Sequence, residues 1–269
     1  NKLRTTTGAG MMDCKKALAE AEGNFELAIE ILRKKGQKVA ANRSDRESTE
    51  GAVIAVVNSD NTAGVVISLN CETDFVAKND GYVSLVQSLV DIALDKLPAT
   101  VEELKALPYD ARLSVEEKIT EQVGVVGEKL DLSGYAVMNS NFVVAYNHPG
   151  NQLATLVGLS AGTAADIAEA GRQVAMQVAA MNPIAIDKDG VDARTIEREI
   201  EVGKDLAIQE GKPAEMAEKI ALGRLNKFFQ ENTLLSQAFV RDNKMTVEQF
   251  LNSTEKDLTV TDFKRFSLS

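Results

Sequence analysis

The sequence has no tryptophan, only 5% aromatic residues, and one histidine, His148, in 269 positions. A core of this composition packs aliphatic side chains rather than rings, and histidine triads or multi-histidine zinc sites have no residues to draw on. Cys14 and Cys71 are the only cysteines. They are too few for a disulfide framework and lack metal-ligand spacing, so they read as small buried apolar side chains of a cytoplasmic protein. No apolar run approaches a membrane span, and neither a signal-peptide nor a transit pattern opens the chain as given, so no membrane binding is expected. Positive charge is also short: 30 Lys/Arg stand against 40 Asp/Glu, a net −10. The first 50 residues hold ten basic and eight acidic side chains, which leaves 20 against 32 for the body. An acidic body without a basic, aromatic-laced stripe argues against nucleic-acid binding.

The chemistry of an enzyme is missing as well. Gly8-Ala9-Gly10 is glycine-rich, but no strand precedes it and GxxxxGK[ST] occurs nowhere, so direct nucleotide binding is not expected. The carboxylate pairs Glu116/Glu117 and Glu197/Glu201 fall on helix faces, where solvation is the ordinary explanation; a hydrolase would need two acids converging in a pocket. No catalytic residue, cofactor or metal is expected.

What is present is a patterned chain that is 44% hydrophobic, enough for a core. Met11, Cys14, Ala17, Leu18 and Ala21, then Phe25, Ala28, Ile29 and Leu32, have the spacing of two amphipathic helices. Gly23 stops the first, Asn24 caps the second, and Gly36 after Arg33-Lys34-Lys35 reads as its exit. This gives a helical module over 1–36 and a polar linker over 37–50. Beyond Gly51 the pattern turns to β. Ala52 to Val57 and Gly64 to Leu69 make a hairpin around Ser59-Asp60-Asn61-Thr62, and a helix capped by Asn79 follows after a connection. The arrangement recurs with a strand from Ala136 to Tyr146, a turn at Asn147-His148-Pro149-Gly150, a strand from Leu153 to Leu159 and a helix from about Ala164 to Met181. Val101 to Lys129 reads as helical, with Pro98 and Pro108 as breaks. Two charged helices, Asp192 to Gln209 and Pro213 to Phe229, form an antiparallel hairpin. Strand-like pieces at Phe239-Val240 and Val260 to Phe266 return to complete a sheet. The expected fold is α+β, with a first core subdomain over 51–133 and a second over 134–269 that carries the helical hairpin at about 192–229.

One segment does not fit a purely structural reading. In Asn70-Cys71-Glu72-Thr73-Asp74-Phe75-Val76-Ala77-Lys78-Asn79, Phe75 and Val76 interrupt a polar connection. On the residues alone, folding back into its own core is the commoner destination for Phe75, and an exposed functional ring is the alternative. A general adaptor that binds helical partners through residues 1–36 also accounts for the first module, but it leaves Thr73 to Lys78 without purpose.

Two long stretches, Leu3-Arg4-Thr5-Thr6-Thr7-Gly8-Ala9-Gly10-Met11-Met12-Asp13-Cys14-Lys15-Lys16-Ala17-Leu18 and Asn70 to Lys78, closely resemble the two signatures of the bacterial elongation factor Ts family. The likeness extends to Tyr146-Asn147-His148-Pro149-Gly150, Met176-Gln177-Val178-Ala179-Ala180, Gly211-Lys212-Pro213 and Leu235 to Val240, and so covers nearly the whole chain. The resemblance implies a three-helix ubiquitin-associated-like module, two related core subdomains and a projecting helical hairpin. It also implies guanine-nucleotide exchange on elongation factor Tu as the function, with a homodimer within a larger complex as one arrangement. For site residues it implies Thr73, Asp74, Phe75, Val76 and Lys78 as the segment that reaches into the GTPase and disturbs its Mg²⁺ and phosphate site. Arg4, Thr7, Gly8, Gly10, Met11 and Lys15 follow as partner contacts of the amino-terminal module, and Met176 and Gln177 as a second contact. Gln177 departs from the His that many relatives carry; its amide still donates and accepts hydrogen bonds.

Overall fold

The computed structural model describes residues 1–160 and 166–268. Three helices open the chain: α1 (Lys2–Thr7), α2 (Met11–Glu20) and α3 (Phe25–Asn42). The Asn24 side chain accepts the Leu27 amide at 3.1 Å and caps α3. Leu3, Ala9, Cys14, Ala17, Ala21, Ala28 and Leu32 bury themselves between the helices as a small core.

Gly36 is not a helix exit, and only the later part of the expected linker is irregular, because α3 continues to Asn42. The reason lies in packing. Gly36 faces Gly124 of α7 (Val115–Val126), where a Cβ on Gly124 would lie 2.7 Å from the Gly36 Cα and a Cβ on Gly36 2.8 Å from the Thr120 carbonyl oxygen. Two missing side chains let the backbones touch, and the buried crossing offsets the roughly 1 kcal/mol that a glycine costs a helix interior. The Arg33–Glu117 ion pair flanks the same crossing.

Strands β1 (Glu50–Val57), β2 (Ala63–Cys71) and β3 (Asp131–Asn139) form an antiparallel sheet with β2 in the middle. Strands β4 (Phe142–Asn147), β5 (Leu153–Leu159) and β8 (Val260–Ser267) form a second with β5 in the middle. The strand expected from Ala136 to Tyr146 is therefore two strands in different sheets, and the expected boundary between residues 133 and 134 falls inside β3. The chain crosses over at Ser140-Asn141. There the Ser140 hydroxyl donates to the Leu159 carbonyl and the Asn141 amide to that of Ser160, at 2.9 and 2.6 Å.

The alternation along the strands explains how the sheets stack. In β1 and β2, Ala52, Ile54, Val65, Ile67 and Leu69 face one core, completed by Leu85, Val86 and Leu89 of α5 (Asp80–Lys96) and by Leu104 of α6 (Val101–Ala106). Val53, Ala55 and Val66 point the other way and meet Val143, Ala154 and Leu156 of the second sheet. On the far side of that sheet, Val157 and Leu159 pack on Val174, Ala175 and Val178 of α8 (Ile167–Met181). The result is helix, sheet, sheet, helix, in which the central strands are buried on both faces and read as near-continuous apolar runs. The expected start of α8 near Ala164 lies outside the described residues.

The helical hairpin is α9 (Ala193–Gln209) against α10 (Ala214–Asn232), closed by the small residues Gly203, Ala207, Ala217 and Ala221. β8 returns to the second sheet, as its strand-like pattern suggests. The piece at Phe239 does not: among the described residues β6 (Ala238–Phe239) pairs only with β7 (Asp242–Thr246), and α11 (Val247–Thr254) follows, started by a Thr246/Gln249 capping box. Among the described residues no helix is long and apolar enough to cross a membrane.

Candidate functional site

Where β2 ends, one helical turn, α4 (Asp74–Ala77), interrupts the path to α5. Thr73 starts it from extended backbone as N-cap, its hydroxyl oxygen accepting from the Val76 amide at 3.5 Å. Val76 and Ala77 pack against the first core. A single turn with one side so occupied must turn the residues before it outward. Phe75 is 84% exposed, which overturns the core destination that its residue type favours. Asp74 and Lys78 pair at 2.7 Å beside it. The hydrogen bond from Lys78 holds the Asp74 carboxyl below its ordinary range, and Asp74 in turn raises Lys78.

The backbone under this turn is fastened by Glu128 and Glu72, whose pairings no local sequence pattern records. The Glu128 carboxylate accepts the Thr73 hydroxyl at 2.6 Å, the Thr73 amide at 3.0 Å and the Glu72 amide at 3.2 Å. Glu72 answers by accepting the Lys129 amide at 2.7 Å and both bonds of the Arg43 guanidinium at 2.8 Å. Burial opposes the charge on Glu72, yet the Lys129 amide and Arg43 outweigh it and hold its carboxyl below the usual range. The Cys71 thiol beneath is pushed up to about 11 by burial, and donates to the Thr73 carbonyl at 3.2 Å. The helix expected over Val101 to Lys129 runs through Glu128 and hides it; α7 instead ends at Val126, Gly127 turns the chain in left-handed backbone at φ 75, and Glu128 pairs with Thr73 across 55 positions, which is not a local contact.

The residues of the amino-terminal module separate into two kinds. Thr7 is buried, donating to the Leu3 carbonyl at 2.8 Å and accepting the Ala9 amide at 3.3 Å. Gly8, at φ 71, closes α1 in left-handed backbone, and Gly10 starts α2. All three shape the turn, Thr7 from the interior and Gly8 and Gly10 at the surface. Arg4, Met11 and Lys15 are exposed on one side of it and line a depression of about 240 Å³ with Leu3, Cys14 and Leu18.

Met176 and Gln177 sit on α8, in the second half of the molecule. Gln177 is only 1% exposed, so it offers no surface of its own. Its amide donates to Gln237 Oε1 and the Ala238 carbonyl at 3.2 and 3.1 Å and accepts the Val240 amide at 2.8 Å. An imidazole could not make all three bonds at once. Met176, half-buried, lines a cleft of about 390 Å³ with Tyr146, His148, Val240 and Arg241.

Residues 72–269 match the family model described as Elongation factor TS. Among curated relatives, a protein named Elongation factor Ts from Amoebophilus asiaticus is 54% identical over 265 residues, covering 98% of this chain and 95% of its own length. Those of the same name from Flavobacterium psychrophilum and Christiangramia forsetii are 54% and 52% identical, each over 100% of this chain and 96% of the relative. Likeness of this extent, running through both the helical module and the exposed turn at Phe75, places the chain in the elongation factor Ts family of translation elongation factors.

Proposed function

We propose that the protein is a guanine-nucleotide exchange factor for elongation factor Tu, and that it acts by inserting the turn at Thr73-Asp74-Phe75 into the GTPase. The observation that carries this reading is the 84% exposure of Phe75 on a turn held by three hydrogen bonds to Glu128, two from backbone amides and one from the Thr73 hydroxyl. A large apolar ring kept in water on a fixed mount is costly unless a partner receives it. No bond is made or broken. The ring enters between elements of the partner, and the Mg²⁺ and phosphate contacts that hold the nucleotide loosen together, because the metal bridges phosphates and protein. Asp74 and Lys78 flank the ring and orient the approach.

Arg4, Met11 and Lys15, with the exposed Gly8 and Gly10 between them, supply a separate contact that contributes affinity, and the buried Thr7 shapes the turn beneath. Met176 supplies a further contact at its cleft, while Gln177 acts indirectly by holding the Gln237 to Val240 segment. The direct test is release of fluorescent GDP from elongation factor Tu with increasing amounts of this protein. Acceleration that saturates supports the reading, and no acceleration at saturating protein refutes it.

A further inference from the structure

Four residues of helix do not hold themselves together in water, because nucleation costs more than one turn of hydrogen bonds returns. The direction of Phe75 is therefore imposed on α4 by its surroundings. Packing of Val76 and Ala77 fixes one side. The other fixture is reciprocal: Glu128 accepts the amides of Glu72 and Thr73 and the Thr73 hydroxyl, while Glu72 accepts the amide of Lys129, the residue after Glu128. Two segments 55 positions apart in the chain are thus cross-bonded, each by a carboxylate on the other's backbone. A charged acceptor strengthens each of these bonds over a neutral one.

The same turn also receives the end of the amino-terminal helices. Arg43, just past α3, grips both Glu72 oxygens at 2.8 Å. The Lys129 ammonium donates to the Ser44 and Arg46 carbonyls at 2.9 and 3.1 Å. The mount of Phe75 and the base of the amino-terminal module are one hydrogen-bonded unit.

We propose that Glu128 is a positioning residue for nucleotide exchange. It touches neither partner nor nucleotide, and it sets the rate by holding α4 in the inserting orientation, tied through Glu72 and Arg43 to the amino-terminal helices. This inference rests on the exchange reading above. A loosened mount still carries the ring and still leaves Arg4, Met11 and Lys15 to dock. It must order itself during insertion, so its loss falls on the saturating rate more than on the half-saturating concentration.

The test uses the full chain with Glu128→Ala and Glu128→Gln. In the free protein, amide exchange at Glu72 and Thr73 should quicken at least about tenfold in Glu128→Ala, with the thermal midpoint little changed. With elongation factor Tu, the saturating rate of GDP release should fall about tenfold to a hundredfold, about 1.4 to 2.7 kcal/mol, while the half-saturating concentration moves by less than about threefold. Glu128→Gln keeps one oxygen for the Thr73 hydroxyl and should recover part of the rate. A normal saturating rate in Glu128→Ala overturns the inference, as does a loss confined to the half-saturating concentration. If Glu128→Ala does not fold, Glu128→Gln decides alone: a reduced saturating rate in a folded protein supports the inference and an unchanged one overturns it. If the unaltered chain fails to speed release, the exchange reading itself has failed. Unchanged amide exchange in the variants would overturn the hold of Glu128 on the turn whatever the release assay reads.

Discussion

Phe75→Ala separates a core residue from a wedge because the two assignments predict opposite readouts. A Phe buried in its own core costs roughly 3 to 5 kcal/mol when truncated. Here the residue is 84% exposed, so only about a sixth of the roughly 1.5 to 3 kcal/mol available from full burial is at stake, a few tenths of a kcal/mol. Alanine's higher helix propensity returns a similar amount. The thermal midpoint should therefore move by no more than about 2 °C. In the complex, losing a ring buried in a partner pocket should cost about tenfold to a hundredfold in the coupling between this protein and GDP. Coupling is reciprocal, so the variant should bind nucleotide-bound and empty elongation factor Tu with more similar strength than the parent does. Differential scanning calorimetry, GDP release at saturating protein and binding to both partner forms are measured on one preparation. A midpoint lowered by more than about 8 °C, or release at the parental rate, would refute the reasoning.

Exchanging Arg4, Met11 and Lys15 together for alanine should raise the half-saturating concentration about tenfold, near 1.4 kcal/mol, with little change in saturating rate or stability; titrated release assays check both. Gly124→Ala puts a Cβ 2.7 Å from the Gly36 Cα. Chemical denaturation should show a loss of about 1 to 3 kcal/mol, because backbone rather than a flexible side chain must give way. Gln177→Leu strands the Val240 amide and the Ala238 carbonyl, and should cost about 1 to 3 kcal/mol by the same measurement while quickening exchange of the Val240 amide. Glu72, whose carboxyl is held below its ordinary 4.5, contributes stability that is fully present above about pH 4.5 and lost as pH falls through the lowered folded value. Denaturation midpoints between pH 6 and 3 should show this loss, reduced in Arg43→Ala; an identical pH dependence in that variant would remove the assigned cause.

The sequence alone determined most of the helices and the pairs of strands, because their signals are local. Asn24, Asn79 and Asn-rich turns announce their own hydrogen bonds, and apolar spacing of 3.6 or 2 reports which face is buried. It also singled out Thr73 to Lys78, since an aromatic in a polar connection is visible without a structure, and long ordered motifs carry the family. Tertiary structure decided what depends on residues far apart in the chain. Gly36 reads as a stop until Gly124 is brought against it, and Ala136 to Tyr146 reads as one strand until each half finds its own sheet. Phe75 takes its exposure from Val76 and Ala77 occupying the core side of the turn. Glu128 and Glu72 read as ordinary acidic residues because a carboxylate's partners are chosen by where the chain returns, and no local pattern records that choice.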